Sequence, residues 1–389
     1  MTKISGAAAI VGVARTPGYS TPGRYSLELH AALCLEALAD AGLRKEQVDA
    51  ILTAGCDFPT YTEEVAHSAV LSEHLGISPQ YTYTVDIGTP AFVKMVEIAA
   101  TAIATGLCHT VLIACAEPTV SSASRRAAVD KMADFGQPDF ELPFGPTIPA
   151  FYALIASRFM HEYGTTPEQL ARVAVAMRRH AAANADARFR DPLTTNDVLR
   201  SRPIAEPLRL LDCCLTTEGG AAVVVTARER AGDTPHHPVV LLGAGQAFSH
   251  EHLVAAPSLT SFAEGSAARA FGMAGITPSD VDVAFLYDNF TISVISQLED
   301  LGFCGRGEGG QFVESGTIDP GGRLPVNPNG GLLSEGHPGR AGGFFHLVEA
   351  VRQLRHDSRC LQIDDAEIAV VHSVGGIMSN HATAVLARS

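Results

Sequence analysis

The 389 residues, 46% hydrophobic and 18% charged with 36 glycines, suit one large α/β unit or two domains of ordinary size, and exclude a disordered, collagen-like or coiled-coil chain. Lys and Arg number 28 against 42 Asp and Glu, a net charge of −14 whose average field repels a nucleic-acid backbone. No apolar run approaches the roughly 20 residues that cross a bilayer, and residues 1–12 lack the basic and long apolar regions of a signal peptide, so the expectation is a cytoplasmic protein without a membrane partner.

Taken in chain order, Ala37–Leu43 (ALADAGL) reads as the end of an amphipathic helix with a glycine cap. A short polar connection containing a second helix start leads to a buried strand at Val48–Leu52 (VDAIL). A turn carrying glycine and proline then opens an apolar helix over 90–104, and a buried strand follows at 110–116. Residues 117–209 are more polar and helical, punctuated by Pro138, Pro143, Pro146 and Pro149, and read as an inserted cap over a site. Strands are predicted at 221–226 and 238–242.

At a constant spacing of 233 residues the opening pattern returns, as Ala270–Ile276 (AFGMAGI) followed by Val281–Phe285 (VDVAF). It is again followed by an apolar helix, over 341–354, and a buried strand, over 368–373. One α/β unit has been used twice. The expected organisation is residues 1–116 as the first part of an N-terminal half, 117–209 as the cap, 210–235 as strand completing that half, and 236–389 as the C-terminal half. The eight cysteines (Cys34, Cys56, Cys108, Cys115, Cys213, Cys214, Cys304 and Cys360) form no CxxC pair, so neither a zinc site nor a disulfide framework is expected.

Several segments along the chain carry a family resemblance. They are Val85–Thr89 (VDIGT), Leu211–Cys214 (LDCC) with Glu218–Ala222 (EGGAA), Tyr287–Thr291 (YDNFT), Gln297–Cys304 (QLEDLGFC), Leu324–Asn327 (LPVN), Gly336–Gly339 (GHPG) and His372–Gly376 (HSVGG). Together with the duplication, they resemble the thiolase superfamily, and within it the sterol carrier protein X-type thiolases and their thiolase-like relatives. The resemblance implies a thiolase fold, an α/β architecture of duplicated halves layered αβαβα with an inserted cap region. It also implies homodimers, acyl-CoA thioester substrates, no covalently bound cofactor, no metal, and a small separately encoded zinc-ribbon/OB-fold partner.

A working thiolase needs a cysteine at a helix N-terminus, where the dipole and backbone N–H groups favour thiolate. The matching position is Thr89, and no cysteine occurs between Asp57 and Leu107. The family's second cysteine falls at Ser373. A threonine hydroxyl is a poor nucleophile without an activating base, and Thr89 reads rather as the cap of a helix beginning at Pro90. By the resemblance, His337 is the histidine of the Gly-His-Pro loop that works as acid or base. Tyr287 stands where X-type thiolases carry histidine; steroid side-chain retro-aldolases of this superfamily are similar in having Tyr-Asp there while lacking the cysteine. Asp288 is then an orienting carboxylate or a turn residue. Gly375, Gly376 and Asn327 are expected at the substrate. The clusters Arg125-Arg126 and Arg178-Arg179-His180 read either as solvated helix faces or as contacts for CoA phosphates.

These residues support two enzymatic readings. One is aldol-type cleavage or formation of the Cα–Cβ bond of a β-hydroxyacyl-CoA, which needs proton transfer and donors for an enolate but no acyl-enzyme, with Tyr287 and His337 as base and donor in either order. The other is a divergent acetyl-CoA acyltransferase. A third reading is an inactive acyl-CoA-binding scaffold subunit.

Overall fold

The structure, a computed structural model, describes residues 4–18, 26–54, 67–117 and 135–389. Eleven strands occur among them: β1 (Ala8–Arg15), β2 (Ala50–Ala54), β3 (Tyr81–Val85), β4 (Thr110–Glu117), β5 (Pro203–Ala205), β6 (Leu208–Arg209), β7 (Gly219–Ala227), β8 (Val239–Phe248), β9 (Val283–Leu286), β10 (Ile368–Gly375) and β11 (Asn380–Arg388). Nine of them form one sheet in the order β3-β2-β4-β7-β1-β8-β11-β10-β9. The join between β1 and β8 consists of two residue pairs, Ala9 with Val240 and Ile10 with Val239. The sheet is therefore two half-sheets hinged at a short seam.

Layering follows from strands that are apolar on both faces. In β4, Val111, Ile113 and Cys115 belong to a central core cluster, whereas Leu112, Ala114 and Ala116 belong to an outer one. β9 divides likewise, Val283 and Phe285 facing the centre and Ala284 and Leu286 facing outward. A strand buried on both faces needs a helix on each. The two apolar helices, Ala91–Ala104 and Gly342–Arg355, touch strands of both half-sheets and fill the centre, while helices Ser26–Asp40 and Glu264–Ala274 cover the outer faces. The result is five layers, αβαβα.

The repeat is reproduced bond for bond. Leu43 N–H donates to Leu38 O at 2.9 Å, and its counterpart Ile276 N–H donates to Phe271 O at 3.3 Å, around the left-handed Gly42 and Gly275. The Asp49 carboxylate accepts the N–H groups of His109 and Thr110, where β4 starts. Asp282, 233 residues later, accepts those of Glu367 and Ile368, where β10 starts.

Between the halves lie helices Ile148–Tyr163, Pro167–Ala181 and Thr195–Arg200. The second begins at a capping box, with Gln169 N–H donating to Thr166 Oγ1 at 3.3 Å, Thr166 N–H donating to Gln169 Oε1 at 3.1 Å, and Pro167 in the first turn. Phe151, Tyr152, Ile155 and Phe159 share a core cluster with Leu286, Tyr287, Phe290 and Val374. In the Arg178-Arg179-His180 cluster, Arg179 is exposed, as on a solvated helix face, whereas Arg178 and His180 are buried. Arg178 Nε donates to Ser334 Oγ at 3.1 Å, Arg179 pairs with Asp319 at 2.7 Å, and the His180 ring meets Ile318 O at 2.9 Å, so all three hold this segment to residues 318–334. Arg125-Arg126 and Cys56 lie outside the described residues. No helix of the described residues is long and apolar enough to cross a membrane.

Candidate active site

Three sequence-distant side chains meet beyond the C-terminal end of β9. Tyr287 follows β9, Thr89 precedes the helix Ala91–Ala104, and His337 lies in the loop before Gly342–Arg355. The Tyr287 hydroxyl is 2.5 Å from His337 Nε2 and 3.1 Å from Thr89 Oγ1. Tyr287 is buried at 4% exposure, Thr89 at 8%, and the His337 ring is half-buried. Burial pushes the phenol well above its usual range, so at neutral pH it is a proton-bearing hydroxyl. Two proton arrangements satisfy all three atoms. Thr89 donates to the phenol, which donates to Nε2; or Nε2–H donates to the phenol oxygen, which donates to Thr89.

This corrects the capping expectation for Thr89. The helix starts at Ala91 with Pro90 as its N-cap and no side-chain capping bond, and the Thr89 hydroxyl turns to Tyr287. The turn around Thr89 is packed against β10 because Gly375 has no side chain: a Cβ there would stand 2.7 Å from Pro90 Cδ and 2.9 Å from Ile87 O. Asn380 Nδ2 donates to Ile87 O at 3.2 Å from the far side of the same turn. Gly375 and Gly376 thus border Thr89. Ser373 is fully buried on β10, and its hydroxyl has no hydrogen-bond partner among the described residues.

The backbone leading into Tyr287 is held by two amides. Gln297 Oε1 accepts Tyr287 N–H at 2.9 Å and Nε2 donates to Tyr287 O at 2.8 Å. One residue earlier, Asn327 Oδ1 accepts Leu286 N–H at 2.9 Å and Nδ2 donates to Leu286 O at 2.8 Å. The substrate role expected for Asn327 is therefore corrected: both ends of its amide are occupied by β9, and its positive φ of 51° suits the tight turn it makes. Gln297 was missed as a site residue, although it opens the Gln297–Cys304 segment.

Asp288 does not reach the Tyr287 hydroxyl chemistry either. Its carboxylate accepts Leu332 N–H at 2.8 Å and Leu333 N–H at 3.1 Å, in the short helical turn Gly331–Ser334, with His346 Nε2 3.4 Å away. That turn leads into Glu335-Gly336-His337. Glu335 forms a buried ion pair with Arg15 of β1, each side chain 1% exposed, and also accepts from Asn184 Nδ2 at 3.1 Å and Asn329 Nδ2 at 2.5 Å. The loop is then fixed to the sheet by His337 N–H donating to Leu215 O and Thr217 N–H donating to His337 O. Nothing in the sequence pattern singled out Arg15 or Glu335.

Among the described residues no cysteine near the site is prepared as a nucleophile. Cys214 adjoins Tyr287, Tyr152 and Asp288, and burial drives its thiol well above its ordinary range; Cys213 is pushed up to about 12. No cluster of potential metal ligands occurs among the described residues. A surface groove of about 570 Å³, lined by Ser279, Asp282, Arg323 and Gln362 among others, lies at the opposite, N-terminal ends of β9 and β10 and contains none of these residues. The hydrogen-bonded Thr89, Tyr287 and His337 therefore form the candidate site.

Comparison with known proteins gives two family matches, the thiolase N-terminal domain over residues 8–229 and the thiolase C-terminal domain-like family over residues 245–388. The chain is 38% identical to a steroid side-chain-cleaving aldolase of Thermomonospora curvata over 374 residues, 92% of this chain and 93% of that one. It is 41% identical to a 17-hydroxy-3-oxo-4-pregnene-20-carboxyl-CoA lyase of Mycobacterium tuberculosis over 370 residues, covering 91% and 93%. A solved structure described as the Ltp2-ChsH2(DUF35) aldolase superposes with a TM-score of 0.86 at 35% identity, covering 99% of this chain and 98% of that one.

Proposed function

The chain belongs to the thiolase superfamily, and on that premise we propose that it is a lyase that breaks the Cα–Cβ bond of a β-hydroxyacyl-CoA without an acyl-enzyme intermediate. The observation that carries this reading is the Thr89–Tyr287–His337 hydrogen-bond chain: a proton relay stands where the family's acyl transfer needs a thiolate.

The reaction balances on this relay. The substrate β-hydroxyl gives its proton to the Tyr287 oxygen as the phenol proton passes to His337 Nε2. The oxygen lone pair closes to a carbonyl, the Cα–Cβ bond breaks, and its electron pair remains on the thioester as an enolate. The imidazolium and phenol stabilise that charge, and the proton is returned to Cα. The products are a carbonyl compound and a shortened acyl-CoA. Thr89 tunes the phenol as its hydrogen-bond partner; activation of Thr89 as a nucleophile would need a base, and its recorded side-chain partner is a phenol kept protonated by burial.

The relatives' names support a substrate with a bulky apolar group on the β-carbon, and the apolar cluster around Phe290, Val374, Ile377 and Met378 offers a surface for it. β3 supports a homodimer: its residues are largely exposed, Tyr83 at 53%, at one end of the sheet, whereas the β9 end is covered by Pro325–Asn327. The solved complex supports a small separately encoded partner. Reduced cysteines among the described residues suit the cytoplasm.

The test is to incubate the protein, with the partner where it is known, with a β-hydroxyacyl-CoA and to follow the released carbonyl compound, with intact-mass measurement after rapid quenching. Carbonyl release with unmodified protein is expected. A kinetically competent acyl increment on Thr89 or Cys214 would replace this reading with acyl transfer.

A further inference from the structure

Tyr152 lies on the helix Ile148–Tyr163 at 1% exposure, its ring stacked on Phe290 with centroids 4.3 Å apart and planes 24° from parallel. Phe290 is three residues beyond Tyr287. The Tyr152 hydroxyl is buried, and among the described residues no acceptor takes its O–H; the Asn289 side chain and the Met378 backbone approach its oxygen as donors. Buried phenols ordinarily find an acceptor, because an unmet O–H loses water without replacement, and phenylalanine would fill the same stacked position without that penalty.

The surroundings show why the protein supplies no acceptor for this O–H. The Asn289 side-chain amide and the Met378 backbone N–H meet its oxygen from the donor side, and Cys214 is also near. Asn289 Oδ1 already accepts Phe290 N–H at 3.0 Å and Ser293 Oγ–H at 2.7 Å, and Cys214 N–H is held by Asn289 O at 2.9 Å. Cys214 is a protonated thiol, a weak partner, and neighbours both Tyr152 and Tyr287. Two phenols thus approach one locale from different parts of the chain. Tyr287, from the sheet, has its partners; the Tyr152 O–H, from the inserted helix, has no acceptor among the described residues. The rest of the shared cluster, including Phe290, Val374, Ile377 and Met378, is apolar.

We propose that Tyr152 is a substrate-contacting residue whose hydroxyl donates a hydrogen bond to the β-oxygen of the acyl-CoA, the oxygen that gives its own proton to the Tyr287–His337 relay. This deepens the lyase reading and rests on it. An alcohol oxygen donates once and accepts elsewhere, so one phenol meets each function and the C–O bond is aimed for cleavage. The β-oxygen is also the polar atom that sits among the apolar substituents of such a substrate, which matches a lone hydroxyl in an apolar wall. Tyr152 therefore selects hydroxylated thioesters over their deoxy analogues, since an analogue without the oxygen leaves the hydroxyl unmet.

The experiment compares wild type and Tyr152→Phe in the full protein, measuring thermal midpoint, affinity for a β-hydroxyacyl-CoA bearing a bulky apolar group and for the same thioester without the hydroxyl, and turnover. The expected result is a midpoint equal to or above wild type, a preference for the hydroxylated thioester reduced about tenfold or more with deoxy affinity unchanged, and kcat/KM lowered to match. A Tyr152→Phe protein that is destabilised or fails to fold, or that keeps the full preference, overturns the proposal, because the hydroxyl would then be answered within the protein. The two readings fail separately: cleavage by wild type with an unaffected Tyr152→Phe removes Tyr152 alone, whereas no cleavage by wild type with a Tyr152-dependent binding preference removes the lyase reading alone.

Discussion

The Tyr287 hydroxyl and His337 Nε2 are 2.5 Å apart although their residues are separated by fifty positions and belong to different loops. That contact is held from behind rather than by the pair itself. Gln297 and Asn327 fix the end of β9, and Asp288 and the Arg15–Glu335 ion pair fix the segment that delivers the histidine.

Tyr287→Phe keeps the ring and removes the hydroxyl. We expect kcat to fall by about 10²–10³, as for loss of one oxyanion donor, and stability to fall by about 1 kcal/mol for the lost hydrogen bonds. His337→Ala should lower turnover by about 10²–10⁴. Because the groups act as one relay, the double variant should fall well short of the product of the singles. Steady-state carbonyl release measures all three, and near-normal turnover by Tyr287→Phe would make the tyrosine structural.

Asn327→Leu separates a strand clamp from a substrate contact. It leaves the buried N–H and C=O of Leu286 unmet and places a branched residue at positive φ, so unfolding free energy should drop by about 2–4 kcal/mol. Chemical denaturation measures this. A raised KM with unchanged stability would restore the substrate role.

Glu335→Leu strands Arg15 among buried groups, and a cost of about 3–5 kcal/mol is expected, the size associated with removing one partner of a buried pair. Replacing Arg15 as well, by Met, should recover much of it in a double-mutant cycle. Additive losses would show that the pair does not interact.

Acid stability should fall in a defined window. Burial lowers His180 and His381 from 6.5 to about 4 and His30 to about 3, so the folded state keeps them neutral while the unfolded chain protonates. Where the unfolded state binds more protons, stability rises with pH; it is therefore lost as pH falls from about 6.5 toward 4, at up to about 1.4 kcal/mol per pH unit for each histidine. Unfolding free energies measured from pH 7 to 4 should show this slope, and His381→Asn should reduce it. A slope unchanged by that substitution would contradict a neutral buried His381.

The sequence by itself determined the α/β class, the twofold repeat and the principal strands and helices, because these depend on short-range patterns: glycine caps at Gly42 and Gly275, and apolar runs such as Thr110–Ala116 that suit strands covered on both faces. Through the segments that resemble the thiolase superfamily it also placed Thr89, Tyr287 and His337 as site candidates. What it left open was the partner of each polar atom. The Thr89 hydroxyl could cap its own helix or reach elsewhere, and only the approach of β9 decided for Tyr287. The Asn327 amide was expected at the substrate, and the register of β9 against Pro325–Asn327 turned it to the backbone. Arg15, Glu335 and Tyr152 carry no motif that marks them, because their roles depend on partners as many as 320 positions away and on burial that the packed layers alone create.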